Sequence, residues 1–138
     1  MSEEIRLLLA SDEDVITARR KGREMAERLG FSSTDRVMIA TAISELARNI
    51  LAYARQGEIH IRTMQGHNGT GIEVVARDEG PGIEDLKQVM QGGYSTSGGL
   101  GLGLPGVRRL MDDFDIASTV GKGTTVTARK WTRIHGSR

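Results

Sequence analysis

The 138-residue chain contains no cysteine, which excludes disulfides, thiolate nucleophiles and cysteine-based metal sites and permits a reducing compartment. Long hydrophobic runs are missing as well. The opening "MSEEIRLLLASDED" is acidic where an export signal would be basic, and its apolar run of four is too short for a signal segment or a membrane span. A cytoplasmic location, without membrane contact, is therefore expected. Nor is there an excess of charge: 19 basic residues face 18 acidic ones, a balance that argues against nucleic acid as the main ligand. The locally basic end, Arg129 to Arg138, reads as a solvated terminus. No Gly-Lys-Ser/Thr occurs anywhere, so a Walker A loop is excluded.

What the chain has is glycine, 18 in all, and five of them fall within "SGGLGLGLPG" at 97 to 106. Glycine inside regular structure costs roughly 0.5–1 kcal/mol relative to alanine. The density there implies either a slack linker or a backbone that something approaches closely. The regular Gly-Leu alternation favours leucines docked inward while the glycines face something else.

The surrounding pattern is that of one domain, residues 1–138, long enough to bury about two thirds of its unfolded surface. "EIRLLLA" reads as a strand, and "SDED" offers Ser11 or Asp12 as the cap of a helix over about 13–29 that Gly30 closes. Ser32 or Ser33 caps a second helix whose stripe is Ile39, Ile43, Leu46 and Ile50. From Gly57 the period becomes two: "GEIHIRTM" and "GIEVVARD" flank hairpin-type turn residues. "EGPG" breaks the second strand, a short helix follows over about 84–90, and a long irregular stretch leads to a helix over about 102–113 with Pro105 in its first turn. "FDIASTV" and "TTVTARKW", joined by "GKG", form a closing hairpin. Grouped helices and hairpin strands predict an α/β two-layer sandwich, helices on one face of a mostly antiparallel sheet.

Three segments carry the chemistry. In "SELARNI", Glu45 and Asn49 stand at i and i+4 on one helix face beside the core stripe. A carboxylate and an amide there suit proton acceptance and a hard cation, because Mg²⁺ takes oxygen ligands with only one or two from protein; alone, they also read as a solvated pair. In "RDEGPG", Asp78 ends a strand before Gly80 and Gly82, where it can accept from an exocyclic amine while the glycines admit a flat ring. Gly98, Gly99, Gly101 and Gly103 precede a helix N-terminus, whose N–H groups and dipole suit phosphate. His60, His67 and His135 fall on a strand, a turn and the tail and form no metal constellation.

Taken together, "SELARN", "DEGPG", "GLGLG" and "GKGTTV" resemble the N box, the D-x-G-x-G box, the second glycine box and the final Gly-Thr element of the GHKL family, the Bergerat-type ATP-binding fold of gyrase-type ATPases, histidine-kinase catalytic domains and anti-sigma-factor serine kinases. "TAISELARNI", "GGYSTSGGLG" and "GLPGVRRLMDDF" are similar to the switch-protein kinases of stress-response (stressosome) modules within the last branch. The resemblance implies a protein serine/threonine kinase using ATP and Mg²⁺. Asp78 would read the adenine amine, together with Thr124 through water. Asn49 would hold the metal, and Glu45 would act as base. Gly80 and Gly82 would border the nucleotide, while Ser95, Thr96, Ser97 and the glycines at 98, 99, 101 and 103 would hold phosphate under a lid spanning 84–100. The implied partners are a STAS-domain antagonist whose serine accepts the phosphate, near Arg19 of the first helix, a stressosome scaffold, and a downstream phosphatase or other effector. One departure is visible: where sporulation-type relatives keep an arginine before the second glycine box, this chain has Gly99, and Lys87 is the only basic residue between Ile83 and Leu100. A nucleotide-dependent sequestering module and a small ATPase are the competing readings.

Overall fold

The computed structural model describes residues 2–67, 69–91 and 103–132. Strand β1 (Glu4–Leu9) leads into helix α1 (Asp12–Arg28), whose start is fixed by a reciprocal cap. The Ser11 hydroxyl accepts from the Asp14 N–H, and the Asp14 carboxylate accepts from the N–H groups of Ser11 and Ala10. Such a box stabilises a helix start by about 1 kcal/mol. Gly30, at φ +87°, ends the helix in a left-handed conformation that a side chain would disfavour. Helix α2 (Ser33–Ala54) follows from its Ser32 cap and presents the Ile39, Ile43, Leu46, Ile50 stripe, all fully buried. By length and mean hydropathy α2 passes the test for a membrane-spanning helix, but half of that window is buried within the fold and it serves as the core helix.

The remaining elements are β2 (Gly57–Gly66), β3 (Gly69–Asp78), a short α3 (Leu86–Met90), α4 (Gly103–Leu110), β4 (Asp113–Thr119) and β5 (Gly123–Trp131). The five strands form one sheet in the order β1-β2-β3-β5-β4, and every pairing is antiparallel. The expected two-layer architecture is what forms. Ile59, Ile61, Ile72, Val74, Val126 and Ala128 line the inward face against the helices. α1 and α2 meet closely at Gly22, where a Cβ would overlap the Ile43 side chain.

The outward face carries charge in register. Glu4 pairs with Arg62, Arg62 with Glu73, Glu73 with Arg129 and Arg129 with Asp113, so one row of alternating sign crosses all five strands. Glu73, at its centre, is buried and accepts from Arg62 Nε at 2.6 Å and Arg129 Nε at 2.8 Å. Burial pushes its carboxyl up, but the two guanidinium hydrogen bonds outweigh that and hold it below the ordinary carboxylate value.

Two expectations are corrected. The last helix stops at Leu110 rather than near 113, because Lys130 Nζ bonds the Leu110 carbonyl at 2.7 Å and the Asp112 N–H joins the sheet at the Arg129 carbonyl, 2.8 Å. Arg129, Lys130 and Trp131 are not a solvated tail. They belong to β5, where Lys130 is buried and Arg129 completes the Glu73 pair.

Candidate functional site

A cavity of about 320 Å³ opens between the helix layer and the C-terminal end of β3, within the range of small-molecule sites. α2 contributes Asn49 and Tyr53, β3 contributes Asp78, and β5 contributes Thr124. Gly82, Gly103 and Pro105 close its other sides. Apolar walls come from Leu46, Ile50, Ala76, Val89, Leu104 and Val126.

Sheet register brings the two polar readers together. Asp78 stands directly opposite Thr124, so the last residue of β3 and the second of β5 share the inward face at the cavity. This closeness requires glycine at 123: its φ is +128°, and a Cβ there would fall on the Asp78 carbonyl oxygen. The Asp78 carboxylate is held by the Gly80 N–H, which donates to Oδ1 at 2.9 Å. Gly80 itself packs on Ala54, and Gly82, at φ +78°, would place a Cβ 2.5 Å from the Thr119 carbonyl oxygen.

The turn after Asp78 is clamped onto the β4–β5 hairpin. The Gly121 N–H donates to the Pro81 carbonyl at 2.8 Å, and the Ile83 N–H to Ser118 Oγ at 2.7 Å. Ser118 Oγ also lies 3.2 Å from the Gly123 carbonyl and 2.8 Å from Thr124 Oγ1. A carbonyl only accepts, so Ser118 gives its one proton to Gly123, and Thr124 must donate to Ser118. The Thr124 oxygen is left with acceptor capacity toward the cavity. Ser118 was not legible as a site residue, because its role depends on facing Thr124 across two strands.

Charge in the cavity is one-sided. Asp78, Glu84 and Asp85 line it, and among the described lining residues there is no lysine or arginine. Asn49 offers a half-buried amide not engaged by any other described side chain. An amide oxygen is a ligand type that a hard divalent cation takes, and a cavity lined by carboxylates fits a bare polyphosphate poorly.

The expected residues do not all converge. Asn49, Asp78, Gly82, Gly103 and Thr124 line the cavity. Gly80 stands behind Asp78. Glu45 is buried one helical turn before Asn49, beside the cavity rather than in its lining, and its Oε2 meets Arg48 Nη1 at 3.3 Å. Arg19 is exposed on α1, away from the cavity. Ser95, Thr96, Ser97, Gly98, Gly99 and Gly101 lie outside the described residues. Tyr53 was missed, although its i+4 spacing from Asn49 was a signal.

The match to the histidine kinase-like ATPase domain runs over residues 8–130, from β1 to β5, and takes in this whole arrangement. The chain belongs to the histidine kinase-like ATPase family. Among its relatives, it is 47% identical over 133 residues to the serine/threonine-protein kinase RsbT of Bacillus subtilis strain 168, covering 96% of this chain and 100% of that protein. It is 36% identical over 99 residues to the anti-sigma F factor of Caldanaerobacter subterraneus subsp. tengcongensis, covering 67% and 68% of the two chains. Solved structures agree on the fold. The RsbU and RsbW domains of a Mycobacterium tuberculosis protein align with TM-score 0.65 at 20% identity over 97% of this chain and 34% of that one. The mycobacterial sensor histidine kinase MprB aligns with TM-score 0.55 at 18% identity, over 97% and 99%. This histidine kinase-like ATPase is an RsbT-like, ATP-dependent protein serine/threonine kinase.

Proposed function

We propose that residues 1–138 act as a single cytoplasmic kinase domain that uses Mg²⁺-ATP to phosphorylate a serine of a STAS-domain antagonist protein in a partner-switching stress-response module. The observation that carries the reading is the facing pair Asp78 and Thr124 above an apolar cleft, with Asn49 at its far wall. Asp78 accepts from the adenine amine, held in place by the Gly80 N–H, and Thr124 accepts from a bridging water. Gly80 and Gly82 keep side chains clear of the ring. The Asn49 oxygen holds Mg²⁺, which supplies charge neutralisation for the phosphates. Gly103 and the N–H groups opening α4 take phosphate oxygens, joined by Ser95, Thr96, Ser97, Gly98, Gly99 and Gly101.

Phosphoryl transfer asks a protein mainly for positioning, neutralisation and a base for the incoming hydroxyl. Glu45 takes that proton, one turn before the metal ligand, and such help is worth roughly 10²–10⁴ in rate. The carboxylate-rich lining makes binding depend on the cation: ATP without Mg²⁺ meets like charge in the cavity. Arg19, exposed on α1, contacts the STAS antagonist, and a stressosome scaffold is a further partner. Once phosphorylation releases the kinase from those proteins, it activates a downstream phosphatase or comparable effector. The similarity to RsbT and to anti-sigma F factors supports the partner-switching setting.

Mass spectrometry tests the reaction. Purified STAS-domain proteins of the source organism, incubated with the chain, ATP and Mg²⁺, should include one that gains a single phosphate on a serine. With Glu45→Ala the gain should disappear while ATP still binds. ATP binding without phosphate on any STAS protein would instead mark a sequestering module, and phosphate release with no protein acceptor a simple ATPase.

A further inference from the structure

Glu45 has an unusual setting for a group assigned to proton transfer. Its side chain is 8% exposed, and its partner among the described residues is the Arg48 guanidinium at 3.3 Å, itself 52% exposed. A buried carboxylate without a partner is costly and free to turn toward any donor within reach. Arg48 follows Glu45 at i+3 and Asn49 follows at i+4, so on the helix surface Glu45 stands between a cation and the amide that faces the cavity. Arg48 does not line the cavity. Among the described residues, the group its guanidinium meets is the Glu45 carboxylate.

We infer that Arg48 is the positioning residue for Glu45, fixing the carboxylate in one orientation on α2, one turn before Asn49 and beside the cavity. The inference rests on the assignment of Glu45 as the base. Its half-exposed guanidinium lets the pair persist at the surface where a protein acceptor arrives, while the aliphatic stem leaves the carboxylate in place. Arginine and lysine are unequal here, because the planar fork reaches back along the helix with several donors and an ammonium with one compact charge.

The experiment is steady-state transfer from γ-labelled ATP to a purified STAS-domain acceptor, with Arg48→Ala, Arg48→Lys, Glu45→Gln and the double variant E45Q/R48A, each checked by thermal melting. Arg48→Ala should lower kcat by about 10- to 100-fold, the scale of a misplaced reacting group, with KM for ATP unchanged. Arg48→Lys should recover part of that loss. The double variant should be no slower than Glu45→Gln alone. Wild-type kcat in Arg48→Ala overturns the inference, as does a double variant that loses as much from Glu45→Gln as Arg48→Ala loses from wild type, since Arg48 would then act on phosphate or partner directly. Wild-type transfer by Glu45→Gln is a separate result: it removes the base assignment, and the positioning role with it.

Discussion

At the scale of single residues, the site depends on a serine that touches no part of the cavity. Ser118 ties three things: the turn after Asp78 through the Ile83 N–H, the hairpin through the Gly123 carbonyl, and the direction of the Thr124 hydroxyl. Ser118→Ala removes all three and leaves a half-buried N–H without its acceptor, at a cost of about 1–2 kcal/mol. The expected fall in melting temperature is about 3–8 °C for a chain of this size. ATP affinity should drop as well, because Thr124 is then free to rotate its proton into the cavity; calorimetric titration measures it. A stability loss with unchanged affinity would mean that Thr124 is oriented by something else. "FDIAST" gave no sign of this role, whereas Asp78, Asn49 and the glycines announced themselves by residue type and spacing.

At the scale of elements, helices were more legible than pairings. Ser11, Ser32 and Gly30 mark helix ends that the fold uses, since capping is a local matter of one hydroxyl or one φ angle. The end of α4 was not legible because it is set from outside, by Lys130 on β5. The insertion of β5 between β3 and β4 and the charged row across the outer face likewise depend on register, which no short stretch encodes. That row makes a prediction about pH. The Glu73 carboxyl is held below its ordinary value of 4.5. Its contribution to stability is therefore present in full above that value and is lost as pH falls through the lower folded-state value. Glu73→Gln should be less stable than wild type by about 1–3 kcal/mol near neutrality, and the gap should shrink as pH falls below about 4.5. Urea unfolding midpoints from about pH 7 to about pH 3 follow it. A gap that stays constant over that range would show that the two arginines do not hold the carboxylate ionised.

At the scale of the whole molecule, an antiparallel sheet covered on one face by helices leaves a cleft lined by the end of β3, α2 and α4. The two-layer architecture was legible from the switch in period at Gly57 and from hairpin turn residues on either side of the long loop. Asn49, Asp78 and Gly103 stood out in separate segments; their meeting at one cavity is a property of the fold, which sets Asp78 against Thr124 with Asn49 on the helix side. Glu45 lies beside the cleft rather than in it because the α2 wheel turns it toward Arg48. The central claim is that this cleft holds ATP through Asp78. Asp78→Asn keeps an oxygen for the Gly80 N–H and so preserves the turn, but it sets an amide donor against the adenine amine. Calorimetric titration of both proteins with ATP and Mg²⁺ is the direct test: the variant should melt within a few degrees of wild type and bind at least about tenfold more weakly, a difference of 1.4 kcal/mol, and equal affinity in a folded variant would contradict the account.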